Sequence, residues 1–384
     1  ESAGTGVTDE AHNVAIGSMA LSSGSLNGAD YNVMLGSFPG YAVTSGSENV
    51  GINGFALRYL TSGSSNIAIG KNAQLNTTTG SRNIAIGSFA LDGPDTESDN
   101  IAIGYHAMTG PVAGGNSSVA IGSYSLDALT SAVGSVGIGY NAGTAITTGH
   151  YNVAIGYRAL DANTTGGNIV AIGKDSCGGD SADNSIGIGT SALNVATGDA
   201  NVAIGHWASK AVTTGYGNVC IGYLAGYTVT TGENNIFVGE QAGVTSEVDA
   251  DNNVVIGRYA GVYVSDNNIF VGAYAGTGSG SSTGDNNIGL GHGALDIYTT
   301  GASNIAIGKD AGNNITTGDN NVVIGAADVT ADADDQLSIS SGDGSPVWIT
   351  GTSAGVVNIP GSLTVAGSAV GGASALNGLT DVIS

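Results

Sequence analysis

Nineteen times along this 384-residue chain, a Val or Ile, one further residue and then an Ile, Leu or Val are followed by a fixed corner position. That position is Gly in every copy but one, from Gly17 and Gly36 through Gly70 and Gly87 to Gly308 and Gly325; Asn53 is the exception. Successive corners lie 15 to 19 residues apart, most often 17. A period this short and regular is the signature of a solenoid made by stacking one small unit. The length is therefore spent on copies of that unit rather than on two or three globular domains.

Residues 66–83 show one unit in full. Ile67-Ala68-Ile69 alternates with period two and is β-branched at both ends, which predicts a short strand. Gly70 closes it at a corner, where a side chain would clash. Ala73 opens a second short extended piece, and Thr79-Gly80 makes the return turn, as do Thr148-Gly149 and Thr317-Gly318. The unit reads as strand, corner, strand, turn, with no helical stripe.

Stacked coils turn repeat positions into columns. The residue before the strand is Asn in 15 copies, Ser at 118, 135 and 185, and Ile169 once. Buried Asn side chains at a fixed height can bond from coil to coil as an amide ladder, and the turn preference of Asn explains the same column. The third residue after the corner is Ala in 15 copies, a column that needs a small side chain. The two flanking strand positions are always aliphatic and are expected to form the inside of the coil. The middle position is then expected to face outward, yet it is never polar: Ala in nine copies, Gly in four, otherwise Met34, Cys220, Phe237, Val255, Phe270 or Val323. An outward face without polar residues must be covered. Three copies packed about a common axis would cover it, with Ala68, Ala85, Ala102, Gly137, Ala154, Gly187, Ala203, Cys220, Phe237 and Phe270 as candidate axis residues; covering by another part of the same chain is the alternative.

These units resemble the head repeats of trimeric autotransporter adhesins, and more closely the related repeats of phage tail fibres. Asn-Val-Ala-Ile-Gly-Tyr-Arg-Ala-Leu (152–160) and Asn-Ile-Ala-Ile-Gly-Lys-Asp-Ala-Gly (304–312) carry the likeness. It implies an all-β parallel β-roll of about 19 coils, assembled as a homotrimer. Residues 1–12 are expected to lead in, 13–328 to form the solenoid and 329–384 to form a β-rich fibre segment. In that last part, strands are expected at 336–340, 347–350, 356–359 and 363–365. Segments 361–367 and 376–382 resemble fibre-shaft pieces, and Ser384 fits the site at which many such fibres shed a self-cleaving chaperone. Glu1 carries neither an initiator Met nor a signal pattern, which suggests a processed or partial chain.

Eight basic residues against 31 acidic ones give a net charge of −23, a surface that repels nucleic acid and stays soluble. No apolar run reaches membrane-spanning length, so no membrane insertion is expected. Cys177 and Cys220 occupy different repeat positions and suggest no disulfide. The five His fall at scattered offsets without metal-ligand spacing, and no nucleophile elbow or phosphate loop stands out. The chain is expected to be no enzyme and to need no cofactor. Calcium is the one ion considered. Asp251, Asp266, Asp285, Asp319 and Glu233 recur beside the Asn column, and Asp332, Asp334 and Asp335 form an acidic group after the last corner.

The functional expectation is an adhesive, structural fibre of a virion tail. Its expected partners are itself, other tail proteins and a glycan or protein of the host cell surface. A bacterial trimeric surface adhesin or extracellular filament is the alternative. A β-helical polysaccharide-cleaving enzyme would need large loop insertions, and an ice-binding solenoid would need Thr alternating on a strand. Tyr gathers just after the corner, at 105, 140, 157 and 223, where it could serve sugar or protein contact.

Overall fold

The computed structural model describes residues 12–22, 26–93, 96–110, 114–180, 183–246, 249–280 and 282–359, together with two strands at 363–365 and 368–370. It is an all-β parallel β-solenoid of about 18 turns with a repeat of ~17 residues, and among the described residues there is no helix. Residues 1–11 of the expected lead-in at 1–12, the segment at 376–382 and Ser384 lie outside the described residues. Two compact units make up the chain, Glu1–Thr214 and Gly215–Ser384.

In the first unit, twelve three-residue strands run from β1 (Val14–Ile16) to β12 (Val202–Ile204). Each pairs in parallel with the next, without a register slip: Ala68 lies opposite Ala85, and Ala85 opposite Ala102. In the second unit the same ladder runs from β13 (Val219–Ile221) to β19 (Val322–Ile324) and on to β20 (Leu337–Ser340). The chain then reverses. β21 (Val347–Gly351) pairs antiparallel with β20, and β22 (Val357–Asn358) antiparallel with β21. β23 (Leu363–Val365) and β24 (Ser368–Val370) form a separate hairpin.

Among the described residues each coil has one strand, not two. The piece that begins at Ala73 is a run of tight turns, in which the second and fourth residues after the corner are left-handed: Asn72 and Gln74 have φ of 60° and 50°. The residue before each ladder Asn is left-handed too, as at Arg82 (φ 58°) and Asn252 (φ 58°). Such residues are strained by about 1–2 kcal/mol each. They persist because the turned backbone aims its N–H groups along the axis: Asn72 N–H donates to Gly54 O at 3.0 Å, and Gln74 N–H to Ala90 O at 3.0 Å.

The two faces of the strand are the reverse of the expectation. The middle residue points into the coil and the flanking aliphatics point out. Ala68, Ala85, Ala102, Ala154, Ala203, Cys220, Phe237 and Phe270 are all buried within their own chain, as are Gly137 and Gly187. None of the ten can line an axis between copies. The physical reason is the width of the coil. It encloses one strand face together with the third, fourth and seventh residues after the corner, and it has no room for two aliphatic columns from the strand as well.

Volume inside the coil is shared between the middle strand residue and the fourth residue after the corner. Met34 faces Gly40, Phe237 faces Gly243, Val255 faces Gly261 and Phe270 faces Gly276; a Cβ on Gly276 would come within 2.3 Å of the Phe270 ring. In other coils the strand residue shrinks and the other grows, as in Gly51 with Leu57, Gly187 with Leu193 and Gly289 with Leu295, while beside Gly137 the fourth residue is Gly143 and Leu126 and Ile146 fill the space. Interiors tolerate such exchanges when total volume is kept.

The Asn column is an amide ladder. Asn66 Oδ1 accepts the backbone N–H of Asn83 at 3.0 Å, while Asn66 Nδ2 donates to Asn49 Oδ1 at 3.1 Å and to Gly80 O, in the following return turn, at 2.9 Å. Ser118 and Ser135 continue it with longer bonds of 3.3 and 3.4 Å. At Ile169 the column is apolar, and the amide reappears at the seventh residue after the corner, where Asn163 Nδ2 donates to Gly166 O at 2.9 Å. The corner glycines are obligatory for a separate reason: Gly70 has φ of 140°, and a Cβ there would stand 2.4 Å from Gly87 O.

Two expectations follow for stability. Phe270→Ala should cost about 3–5 kcal/mol and Gly276→Leu should be destabilising alone. The double change Phe270→Gly with Gly276→Leu should recover much of the loss, because Gly289 and Leu295 already use that arrangement; chemical denaturation of the three variants checks this. Gln74 Oε1 and Thr77 Oγ1 are buried without partners. Gln74→Leu with Thr77→Val, the residue types of neighbouring coils, should therefore raise stability by about 1 kcal/mol or more, read as a higher melting temperature.

Candidate interaction surfaces

Because the middle strand residue faces inward, the coil presents its two aliphatic columns to the outside. Ile69 is 36% exposed, Ile86 38%, Ile204 36% and Ile324 38%. No charged or polar side chain interrupts these columns in either unit. At about 4.8 Å per coil, the twelve strands of the first unit carry a stripe roughly 50 Å long and one strand wide, on the order of 400 Å². A contiguous patch of that size matches the largest apolar patch of a typical monomer, which is often functional.

The corner beside this stripe carries aromatic rings. Phe89, His106 and Tyr124 occupy the second position after the corner in consecutive coils and stack at 4.8 and 5.6 Å. Tyr140 and Tyr157, one position earlier, stack at 5.6 Å, and both are nearly half exposed. Near the start, the Arg58 guanidinium lies 5.0 Å from the Phe55 ring and 5.6 Å from the Phe38 ring. The gathering of Tyr after the corner was legible in sequence. The stacking was not, because it depends on the coil-to-coil spacing.

The acids expected near the Asn column serve the ladder. Asp251 Oδ1 accepts the Glu233 N–H at 2.7 Å, Asp266 Oδ1 the Asp251 N–H at 2.8 Å, and Asp285 Oδ1 the Asp266 N–H at 3.0 Å. Ser does the same work in the first unit, where Ser64 Oγ accepts the Ser47 N–H at 3.1 Å. Asp332, Asp334 and Asp335 do not converge. Asp332 Oδ1 accepts from the Thr316 and Thr317 hydroxyls at 2.6 and 3.1 Å, Asp334 Oδ1 takes the Asp319 N–H at 2.8 Å, and Asp335 is the left-handed residue before the final rung. The hydroxyls hold the Asp332 carboxyl below its usual range. Among the described residues, no group of three or more His, Cys, Asp or Glu could hold a metal ion.

The His side chains are similarly local. His150 Nδ1 accepts the Val133 N–H at 3.1 Å, and His12 Nδ1 lies 3.2 Å from Asp30. Cys177 is buried, and desolvation pushes its thiol up to about 12, far from a nucleophilic thiolate at neutral pH.

With the geometry in hand, comparison with known proteins adds no name: neither a protein-family model nor a curated protein matches this chain.

The aspartate ladder generates a pH expectation. Burial raises the Asp266 carboxyl above 3.8, and the charges of Asp285, Asp251 and Asp249 raise it further. The folded chain therefore holds this proton more tightly than the unfolded chain. Its contribution to stability falls as pH rises from 3.8 through the raised value, and returns as pH drops. Asp285→Asn keeps the accepting oxygen and removes one charge, so it should lower the Asp266 midpoint in a side-chain NMR titration.

Proposed function

We propose that this chain is the subunit of a homotrimeric, non-catalytic fibre of the phage-tail kind, which contacts a glycan or protein of a host cell surface. The observation that carries this reading is the uninterrupted outward face of Val, Ile and Leu. A solenoid that worked as a monomer would be expected to place Thr, Ser, Lys or Glu there, as half-solvated strands do. Here both outward columns are aliphatic in every coil while the inward column is Ala or Gly in most, so most of the strand's bulk is kept for the outside. Association of copies through this face would withdraw the stripe from water at about 25 cal/mol per Å² of apolar surface.

Three copies rather than two are supported by the likeness to trimeric adhesin heads and tail-fibre repeats. The acidic surface suits a fibre that stays soluble and free of nonspecific contacts. Contact with other tail proteins would fall to the chain's ends, and contact with the host to the corner and turn residues that vary from coil to coil.

Light scattering on residues 1–384 should give three times the chain mass of 37.4 kDa. Ile86→Lys with Ile103→Lys places two charges on the outward face and leaves the coil interior untouched, so it should shift the mass toward that of one chain while the β-type circular dichroism is kept. A wild-type monomer, or a variant that assembles as the wild type does, overturns the reading.

A further inference from the structure

A polar cleft interrupts the corner surface of the first unit. It has a volume of about 480 Å³ and spans the coils from Arg158 to Lys210. Two columns explain why it is there. The second residue after the corner runs Arg158, Asp175, Ser191 and Trp207; the fifth runs Asp161, Gly178, Asn194 and Lys210. The small residues, Ser191 and Gly178, leave a floor, and the long side chains on either side form walls.

The lining is ordered rather than loose. Arg158 Nε donates to Asp161 Oδ2 at 2.6 Å and lies 3.9 Å from Asp175 Oδ1. The Asp161 and Asp175 side chains are only 16% and 24% exposed, so two carboxylates are half sunk into the cleft. Asn194 Nδ2 is engaged by Asp175 O at 2.9 Å, which fixes that amide at the floor's edge. At the far wall the Lys210 ammonium stands 4.9 Å from the centre of the Trp207 ring.

We infer that this cleft binds a neutral, hydroxyl-rich saccharide. Sugar hydroxyls both donate and accept. The two sunken carboxylates accept from them, and the guanidinium and ammonium donate to them. The two positive and two negative lining side chains cancel, Lys174 stands just outside the lining with its Nζ 3.5 Å from Asp175 Oδ2, and the overall charge of −23 repels anionic polymers. Val195, exposed in the lining, offers an apolar contact for the C–H face of a sugar ring. Open along the solenoid and crossing three coil steps of about 4.8 Å each, the cleft fits a short stretch of oligosaccharide. The inference rests on the reading of the chain as a surface-contacting fibre only for the source of that glycan.

The test uses the full chain, fluorescently labelled, on a printed array of neutral, amino and acidic oligosaccharides. Ser191→Tyr fills the floor with a residue type the same column already holds in left-handed form at Tyr124, Tyr259 and Tyr274. The wild type should retain neutral glycans. Ser191→Tyr should lose about tenfold or more of that binding with an unchanged melting temperature and mass. Asp175→Asn with Lys210→Ala, both on the surface, gives the same readout should the first variant fold poorly. An array on which no neutral glycan binds, or on which only acidic glycans bind, overturns the cleft. So does equal binding by wild type and variants, which would place recognition elsewhere on an intact fibre. The fibre reading itself stands or falls by the light-scattering mass, independently of the array.

Discussion

The hydrogen-bonded stacking of one coil on the next is the constraint on which the rest of this protein depends. Parallel strands lie about 4.8 Å apart, and at that distance each residue sits directly over its counterpart one repeat away. Whatever a position needs, it needs in every coil. A corner with φ near 140° and a carbonyl 2.4 Å from where a Cβ would be must be Gly nearly every time. A buried polar group must find its partner in the adjacent coil, and Asn does so with one oxygen and one amide nitrogen along the axis. The same logic turns Ser, Asp and His into interchangeable acceptors two residues before the Asn, since each needs only one atom to meet the N–H below.

The thin interior follows from this. A coil of ~17 residues encloses few side chains, and they must share a fixed volume. The inverse pairing of Phe270 with Gly276, and of Gly289 with Leu295, is that fixed volume expressed in residue types. With so little buried inside, the aliphatic bulk of the strand has been placed outside, where association of copies can use it. The proposed assembly and the narrow coil are two sides of one packing problem.

Surface chemistry is confined to the corners and turns, because the strand faces are committed. Aromatic stacks, the Arg58 cluster and the cleft between Arg158 and Lys210 all lie at the first, second, fifth and sixth residues after the corner. Left-handed turns there project side chains away from the axis, and the ladder N–H bonds tolerate any residue type. Variation is therefore free in these columns, and any recognition the chain performs has to be written in them.

The sequence by itself determined the repeat, the position of each ladder strand, the corner glycines and the Asn column, because those are strictly periodic and each has a local physical cause, although the second strand expected in each coil is a run of turns. It also placed the final strands closely, 336–340 against the observed Leu337–Ser340 and 347–350 against Val347–Gly351. Tertiary structure alone decided which strand face is inside. Period-two alternation separates Ala68 from Ile67 and Ile69 but is symmetric between in and out, and both faces here are apolar. The deciding signal was present in the chain, as the inverse sizes of Phe237 with Gly243 and Gly187 with Leu193, yet it links residues six apart that meet only once the corner has folded them together. The acids of 332–335 went the same way. In sequence they are a cluster of charge; stacked, they are single capping acceptors in separate columns, because a solenoid sends neighbours in sequence to different faces and brings together residues one repeat apart.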